Sequence, residues 1–245
     1  MKNHTITVKN LTLGDGTPKI CVPITAHDHT ELAEQLEKLR AVPCDMAELR
    51  ADYYDGDPIE ELTVLRGQLP DMPILFTFRT KAEGGERAIS PGEYAALNRR
   101  AAGCADLIDL ELNRGEEFLR ELCQELQENG AKVVASFHDF EQTPEVDSLI
   151  ALLCRMQELG ADVTKAAVMP QNERDVLKLL QAAAAMKEQY ADRPYIVMSM
   201  GRLGGISRLA GTLTGSAVTF ATAAASSAPG QMDAALVAQV LSALK

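Results

Sequence analysis

Aromatic residues are scarce in this chain. Tryptophan is absent, and Phe, Trp and Tyr together make up 4% of the 245 residues. Because strands of all-β proteins are usually enriched in aromatic side chains, an all-β fold is disfavoured. Hydrophobic residues still make up 46%, which is enough for a sizeable core. The length fits one large α/β barrel or two small domains.

Positive charge is also in short supply. The 24 Lys and Arg residues are outnumbered by 35 Asp and Glu, so the formal net charge is −11. Such a field repels phosphate and disfavours non-specific binding to nucleic acid or anionic lipid. A small anionic substrate would need a local cluster of Arg or Lys. No run approaches the ~20 apolar residues of a membrane helix, and MKNHTITVKN lacks the apolar stretch of a signal peptide. We therefore predict a soluble, cytoplasmic protein.

Neither cysteine nor histidine shows the spacing of a metal site. The cysteines are widely spaced, odd in number and without a CxxC pair; they are Cys21, Cys44, Cys104, Cys123 and Cys154. This argues against a disulfide framework or a zinc ribbon and predicts buried free thiols. The four histidines and the scattered carboxylates are not compactly spaced, so no metal site is expected. His4, His27 and His29 are interpreted as surface or capping residues.

Short apolar runs alternate with longer helical patterns along the chain. The predicted strands span residues 18–24, 45–50, 73–78, 106–111, 132–137, 161–167, 194–199 and 216–221. The predicted helices span about 29–41, 58–69, 91–102, 115–129, 144–159, 171–189, 204–214 and 231–244. The predicted helix starts are Ser90-Pro91 and Thr143-Pro144, and the predicted helix ends are Gly130 and Gly160.

Eight strands, each followed by a helix, imply right-handed βαβ units and a parallel sheet. An open doubly wound sheet is possible. The repeat is even, at roughly 30 residues per unit, and no GxGxxG follows the first strand. The pattern therefore favours a closed (β/α)₈ TIM barrel. The segment before residue 18 predicts a short N-terminal β-hairpin that closes the barrel floor. No linker or low-complexity run interrupts the chain, so residues 1–245 are predicted to form a single domain.

Lys165 is the most informative charged residue, because parallel barrel strands are usually almost wholly apolar. It shares a strand face with Val163 and Ala167, since side chains two apart point the same way. If that face points into the barrel, the amine is desolvated, and burial lowers the pKa of a lysine. A neutral amine is a nucleophile for carbonyl carbons. A strand-end lysine that reaches solvent fits the spacing equally well.

His138 follows the predicted fifth strand, at the barrel end where active sites are built. It is a candidate general base, although for this residue alone a loop histidine hydrogen-bonded to a neighbour is the simpler interpretation. Charged residues also lie at the ends of three other predicted strands. Glu48 and Arg50 share a face at the end of the second strand, Arg79 ends the third, and Asp109 and Glu111 share a face at the end of the fourth. Together they suggest either recognition of a polyhydroxylated substrate or a structural ring of ion pairs.

Three further features lie near the ends of the last two strands. Arg208 can clamp a carboxylate with two hydrogen bonds, or be a solvated helix residue. Met198 and Met200 share a face, as core filler often does. Residues 225–231 combine small residues with Pro and Gly, which suits either a mobile lid or a plain turn.

Seven segments, in order, resemble the signatures of the type I 3-dehydroquinate dehydratase family, over essentially the whole chain. They are ELRADYYD (48–55), FTFRTKAEGGE (76–86), IDLEL (108–112), SFHDF (136–140), DVTKAAVMP (162–170), MSMGRLGGISR (198–208) and SAPGQ (227–231). Any one fragment is weak, but the ordered set is specific. The resemblance implies a homodimeric barrel that acts in the shikimate pathway without a metal or organic cofactor. Pro23 departs from the pattern, since some relatives carry a polar Ser there.

The resemblance also implies residue roles. Lys165 would form an imine with the C3 ketone of 3-dehydroquinate. His138 would remove the C2 proton and protonate the leaving C1 hydroxyl, and Glu83 would influence the His138 pKa. The implied substrate-binding residues are Arg208, Ser227 and Gln231 for the carboxylate, Glu48, Arg50 and Arg79 for the C4 and C5 hydroxyls, and Met198 and Met200 as pocket walls.

Two alternatives remain at this point. Another Schiff-base barrel, such as an aldolase acting on a sugar phosphate, would need a phosphate cradle after the seventh and eighth strands, and GRLGG (201–205) could supply one. A catalytically inactive barrel used for binding or regulation should have lost Lys165 or His138, and both are present.

Overall fold

A computed structural model describes residues 4–223 and 227–244 of the chain. Within these ranges the strands form one eight-stranded parallel sheet and a separate antiparallel hairpin. The strands are β1 (Ile6–Val8), β2 (Leu11–Leu13), β3 (Lys19–Ile24), β4 (Met46–Arg50), β5 (Ile74–Thr77), β6 (Leu107–Glu111), β7 (Lys132–Asp139), β8 (Val163–Val168), β9 (Tyr195–Ser199) and β10 (Val218–Phe220).

The large sheet rolls into a barrel. Its order is β10-β3-β4-β5-β6-β7-β8-β9, and the two end strands meet where the Ala217 N–H donates to the Tyr195 carbonyl at 2.8 Å. Helices alternate with these strands, as right-handed βαβ crossovers require. The predicted (β/α)₈ barrel is confirmed. The helices are α1 (His29–Arg40), α2 (Pro58–Gln68), α3 (Pro91–Ala101), α4 (Glu116–Glu128), α5 (Val146–Glu158), α6 (Glu173–Ala185), α7 (Gly205–Leu209), α8 (Gly211–Thr214) and α9 (Ala234–Ala243).

Local capping explains where several helices begin and end. Ser90 caps α3 with a complete capping box to Glu93 and with Pro91 in the first turn, as predicted. Gly130 and Gly160 lie just beyond α4 and α5 with φ of +89° and +95°. This left-handed conformation favours glycine and ends a helix cleanly.

Four predicted helix boundaries are wrong. Thr143 does not cap α5, which begins at Val146, because its hydroxyl donates to the Met169 carbonyl instead. The helix predicted over 171–189 ends as α-helix at Ala185 and continues as a π-helical turn. The helix predicted over 204–214 is broken between α7 and α8. The helix predicted from 231 begins at Ala234.

The hairpin of β1 and β2 closes the floor of the barrel, as predicted. Val8 and Leu13 are buried there against inward-facing side chains of the barrel strands, including Met46, Leu75 and Val163. Outward-facing side chains of the same strands pack instead against the helices. An apolar floor therefore supports the polar residues that lie above it.

Three aspartates fix the register of strand pairs at the floor. Each one precedes a strand, donates its N–H to the carbonyl of a residue in the preceding strand, and accepts the N–H of that same residue with its carboxylate. The carboxylate–N–H pairs are Asp45 with Ile20 at 2.7 Å, Asp106 with Ile74 at 2.9 Å, and Asp162 with Val133 at 2.9 Å. Because register decides which side chains face inward, these contacts help to place the polar residues of β4, β6 and β8.

The five cysteines agree only in part with the prediction of buried free thiols. All five cysteines are free thiols; Cys21 and Cys123 are buried, and the other three are half-buried rather than buried. Across the described residues, no helix combines the length and apolar character needed to cross a membrane. The described part of the chain likewise contains no group of three His, Cys, Asp or Glu side chains arranged to hold a metal ion.

Candidate active site

A cavity opens at the carboxyl ends of the barrel strands. Its empty space is about 500 Å³, including its opening to solvent. All eleven residues singled out as catalytic or substrate-binding line it: Glu48, Arg50, Arg79, Glu83, His138, Lys165, Met198, Met200, Arg208, Ser227 and Gln231. Alternation along the strands places Glu48 with Arg50 and His138 with Ser136 on inner faces, whereas Glu83, Arg208, Ser227 and Gln231 come from the turns, helix and loop that follow the strands.

Lys165 is buried near the centre of this cavity, with 4% of its surface exposed. Its Nζ lies 3.4 Å from Asp109 Oδ2 and 3.9 Å from Glu48 Oε1. The ring of Phe220 has its centroid 4.5 Å from the same nitrogen, a favourable geometry for a cation over an aromatic face. The structure therefore excludes the alternative in which this lysine reaches bulk solvent.

His138 and Glu83 form a hydrogen-bonded pair in the cavity wall. His138 lies within β7 rather than after it, and its Nδ1 is 2.9 Å from Glu83 Oε2. Burial lowers the pKa of His138 well below its usual 6.5, and the nearby Arg79 and Lys165 cations lower it further. Burial, assisted by Glu111 and Asp109, raises the pKa of Glu83 to about 8. Both shifts favour the uncharged forms of His138 and Glu83.

Arg79 organises the carboxylates below the cavity. Its Nη2 lies 2.7 Å from Asp109 Oδ1, and its Nη1 lies 3.1 Å from Glu111 Oε1 and 3.5 Å from Glu83 Oε2. The Ser136 hydroxyl is 3.0 Å from Nη1. Burial alone would lower the pKa of Arg79, but these carboxylates raise it above its ordinary value. A fully paired cation of this kind holds its neighbours in a defined geometry.

Arg208 differs from Arg79 because it has no carboxylate partner within residues 4–223 and 227–244. It is 2% exposed, its Nη2 donates to the Pro229 carbonyl at 3.0 Å, and its Nε has no hydrogen-bond partner there. Burial lowers the pKa of Arg208 to about 10, so it remains charged at neutral pH. Thr219 holds its backbone through a 2.8 Å hydrogen bond to the Arg208 carbonyl. A buried, unpaired guanidinium is suited to an incoming anion.

The segment from Ser227 to Gln231 lies across the mouth of the cavity. Ser227 and Gln231 exchange two 2.9 Å hydrogen bonds. Arg50 donates to the Ser227 carbonyl at 3.3 Å and is itself held by two bonds to Asp52. This segment therefore connects Arg50 on one side with Arg208 on the other. Ala225 and Ser226, which the lid prediction included, lie outside the described residues.

Apolar side chains complete the walls, and sequence analysis missed some of them. Met198 and Met200 line the cavity as predicted by the resemblance, and Phe220 and Phe140 join them. Phe140 packs over Gly84, where a Cβ would collide with its ring. The motif SFHDF contained Phe140, but no local signal shows that it meets a glycine 56 positions earlier in the chain.

Not every conspicuous residue faces the cavity. Asp109 and Glu111 are buried, pair with Arg79 and do not line the cavity, which favours the interpretation of a structural ring of ion pairs for these two residues. Pro23 is buried on β3 and does not line it either. The glycines of the GRLGG stretch are also absent from its lining. A second cavity, near the floor, is lined by His4, Lys187, Arg193 and other residues, but it holds no paired acid and base.

Comparison with known proteins places the chain among enzymes of one kind. The family model described as type I 3-dehydroquinase matches residues 20–245. A 3-dehydroquinate dehydratase from Syntrophotalea carbinolica is 47% identical over 247 residues, which is 98% of each chain.

Solved structures give the same result. A type I 3-dehydroquinate dehydratase from Clostridium difficile, with a covalently modified comenic acid, superposes with a TM-score of 0.94 at 44% identity and covers 99% of this chain and 98% of its own. A 3-dehydroquinate dehydratase from Geobacillus kaustophilus gives a TM-score of 0.91 at 38% identity, with 100% and 98% covered.

Proposed function

Because this chain belongs to the type I 3-dehydroquinase family, we propose that it is a hydro-lyase that converts 3-dehydroquinate to 3-dehydroshikimate through a Schiff base on Lys165. The observation that carries this proposal is the content of one cavity: a buried amine, a hydrogen-bonded His–Glu pair and a buried guanidinium that lacks a carboxylate. The direct test is to mix the purified protein with 3-dehydroquinate and follow the ultraviolet absorbance of the conjugated product. A folded protein that gives no conjugated product contradicts the proposal.

Lys165 begins the reaction by adding its amine to the C3 ketone. A C–N bond forms and the ketone oxygen leaves as water, which gives an iminium. The iminium draws electrons from the neighbouring C2–H bond, so that His138 can take the C2 proton. The electron pair then expels the C1 hydroxyl, which leaves as water with the proton from His138. Water hydrolyses the imine and frees Lys165, so the net change is the loss of one water.

Glu83 allows His138 to act as the base that removes the C2 proton and as the acid that protonates the leaving hydroxyl. A protonated Glu83 can donate to Nδ1, which leaves the proton of the neutral ring on Nε2 and makes His138 an acid there. The same group can accept from Nδ1–H through its carbonyl oxygen, which leaves Nε2 free as a base. The 2.9 Å contact permits either arrangement. When Nε2 takes up the C2 proton, the pair gains one positive charge, and it loses that charge again when the proton passes to the leaving hydroxyl.

Recognition of the substrate is assigned to the arginines and to the Ser227–Gln231 segment. Arg208 binds the substrate carboxylate, with Ser227 and Gln231 assisting. Glu48, Arg50 and Arg79 bind the C4 and C5 hydroxyls, and Met198 and Met200 shape the walls. This assignment also resolves the charge problem of the acidic chain, because the arginines supply positive potential locally.

Arg208→Gln is expected to raise KM by roughly 10²-fold with a smaller change in kcat. A charge-assisted pair in a buried site contributes about 1.5–3 kcal/mol to binding, and the amide keeps a polar group on a shorter side chain but removes the charge. Steady-state kinetics would measure the change. Arg202→Gln is the matched control, because Arg202 is exposed and does not line the cavity. An unchanged KM in the Arg208 variant contradicts the assignment of the carboxylate.

The two alternatives are less well supported by the same observations. A sugar-phosphate aldolase needs a phosphate cradle, but the GRLGG glycines do not line the cavity. An inactive barrel would have no reason to keep Lys165 beside a tuned His138–Glu83 pair. We therefore retain the dehydratase.

We also propose that the protein is a cytoplasmic homodimer that acts in the shikimate pathway as one domain over residues 1–245, without a metal or organic cofactor. The helices α6, α7, α8 and α9 are neighbours on one flank. Apolar side chains are exposed on and beside them: Leu177, Leu203, Ile206, Leu213 and Leu236. Exposed apolar patches commonly mark interfaces, and isologous dimers are the commonest oligomers.

Light scattering is expected to give twice the chain mass of 26.5 kDa, and Leu213→Glu is expected to give the monomer. Leu213 is 76% exposed, so this substitution should not disturb the fold itself. Val64→Glu is the control, because Val64 is an exposed residue of α2, away from this flank. A wild-type protein of monomeric mass contradicts the proposed dimer.

A further inference from the structure

Asp109 is a buried carboxylate that the proposed reaction has not yet used. It lies on β6, is fully buried and does not line the cavity. Its Oδ2 is nevertheless only 3.4 Å from Lys165 Nζ, closer than Glu48 Oε1 at 3.9 Å. A residue that touches the amine from behind cannot bind substrate, but it can determine where the amine points.

The two carboxylate oxygens of Asp109 have different partners: Oδ1 bonds to Arg79 and Ser136, and Oδ2 faces the Lys165 amine. Oδ1 lies 2.7 Å from Arg79 Nη2 and accepts from the Ser136 hydroxyl at 2.6 Å. Oδ2 makes no hydrogen bond other than that to Lys165 within the described chain. Burial disfavours a charged carboxylate, but Arg79, Lys165 and Ser136 together lower the pKa of Asp109 below its usual value. The carboxylate is therefore ionised and fixed before any substrate arrives.

Glu48 is less suited to the same task. Its Oε1 already accepts a 2.8 Å hydrogen bond from the Thr77 hydroxyl, and Glu48 lines the cavity, where substrate hydroxyls can compete for it. The Phe220 ring lies on another side of the amine and carries no oxygen or nitrogen that could accept a hydrogen bond from it. Asp109 is thus the acceptor that remains available to Lys165 throughout the reaction.

We propose that Asp109 is the positioning residue of Lys165: it directs the amine at the substrate ketone and accepts the single N–H that the protonated imine retains. This inference rests on the proposed Schiff-base function. A lysine side chain has about four rotatable bonds along its carbon stem. A fixed acceptor restricts these rotations and so keeps the nitrogen directed at the ketone. When the amine becomes an iminium, its charge stays on nitrogen, and a buried carboxylate stabilises that charge strongly because the surroundings are dry.

Asp109→Asn tests the proposal, because the amide keeps the shape of the side chain and removes its charge. We expect kcat to fall by about 10²-fold, the loss typical of removing one preorganised electrostatic contact. The rate at which borohydride traps an adduct on Lys165 should fall in parallel. KM should change by less than about threefold, since Asp109 does not touch substrate. A purely structural role would instead move the melting temperature without this split between kcat and KM.

Glu111→Gln is the matched control. Glu111 lies on the same strand, is equally buried and also pairs with Arg79, but its hydrogen bonds go to Thr80 and not to Lys165. A large loss of kcat in Asp109→Asn and a clearly smaller loss in Glu111→Gln support the proposal. Equal losses in both variants assign the effect to the Arg79 network and overturn it.

Ser136→Ala covers the case in which Asp109→Asn does not fold. It removes one of the two groups that hold Oδ1 and leaves every charge in place. We expect a loss of kcat of roughly tenfold with KM unchanged. An unaltered kcat overturns the proposal. Borohydride trapping of the wild-type protein distinguishes failure of this proposal from failure of the Schiff-base proposal. If the wild-type protein forms no adduct, the Schiff base is refuted. If wild type and Asp109→Asn are trapped at equal rates, only the role of Asp109 is refuted.

Discussion

Replacing Lys165 with methionine is expected to lower kcat by about 10⁴-fold or more. The variant cannot form the imine, and without the imine His138 has no acidified C2 proton to remove. Methionine retains most of the apolar stem of lysine. Asp109 keeps its contacts to Arg79 and Ser136, so the protein should still fold. Substrate binding should survive, because the arginines that recognise the substrate are untouched. Calorimetry and an absorbance assay measure the two properties separately.

Lys81→Met is the control for this substitution. Lys81 is an exposed lysine near the same end of the barrel, just ahead of Glu83, and it does not line the cavity. It should retain wild-type turnover. Full activity in Lys165→Met would exclude the Schiff base. Loss of substrate binding together with turnover would instead show that Lys165 binds substrate rather than reacting with it.

Replacing His138 with asparagine is expected to lower kcat by roughly 10²–10⁴-fold, the usual contribution of general acid–base catalysis. The imine should still form, because Lys165 is intact, so borohydride should trap an adduct that turns over slowly. In wild type, kcat/KM should fall as the pH drops through the His138 pKa, because a protonated imidazole cannot accept the C2 proton. Since that pKa is lowered well below 6.5, the fall should begin only under acidic conditions.

The pH profile of the variant is the discriminating measurement. His138→Asn should lose the acidic limb that is assigned to the imidazole, whereas His27→Asn should keep it, because His27 is exposed and does not line the cavity. If the acidic limb persists in His138→Asn, another group titrates and His138 is not the base. If kcat is unaffected, its proposed role in proton transfer is wrong.

Much of this site could be anticipated from alternation along strands. Val163, Lys165 and Ala167 share one face in the sequence, and Val163 and Ala167 pack in the barrel interior. Met198 on β9 and Met200 just after it do the same. The inward direction of these side chains could therefore be predicted from two facts: side chains alternate between the two faces of a strand, and one face of each barrel strand points into the barrel. Every predicted boundary of the eight barrel strands lies within two residues of the observed one, because turn residues bound each apolar run.

Features that depend on distant parts of the chain could not be anticipated. Gly211 illustrates this at the break between α7 and α8: a side chain there would collide with Pro18, which lies far away in sequence. Thr143 prefers a distant carbonyl to the local cap that its sequence suggests. Pairing of Asp109 with Arg79 and Lys165 likewise requires three strands to be in register. Local patterns specify faces and ends, whereas tertiary contacts decide partners.

The measurement that tests the central claim most directly is reductive trapping. Purified protein is mixed with 3-dehydroquinate and borohydride, and the product is digested and mapped by mass spectrometry. We predict one reduced adduct, on Lys165, together with loss of dehydratase activity. A folded protein that forms no adduct, or one that carries the adduct on an exposed lysine while activity persists, would contradict the proposed mechanism.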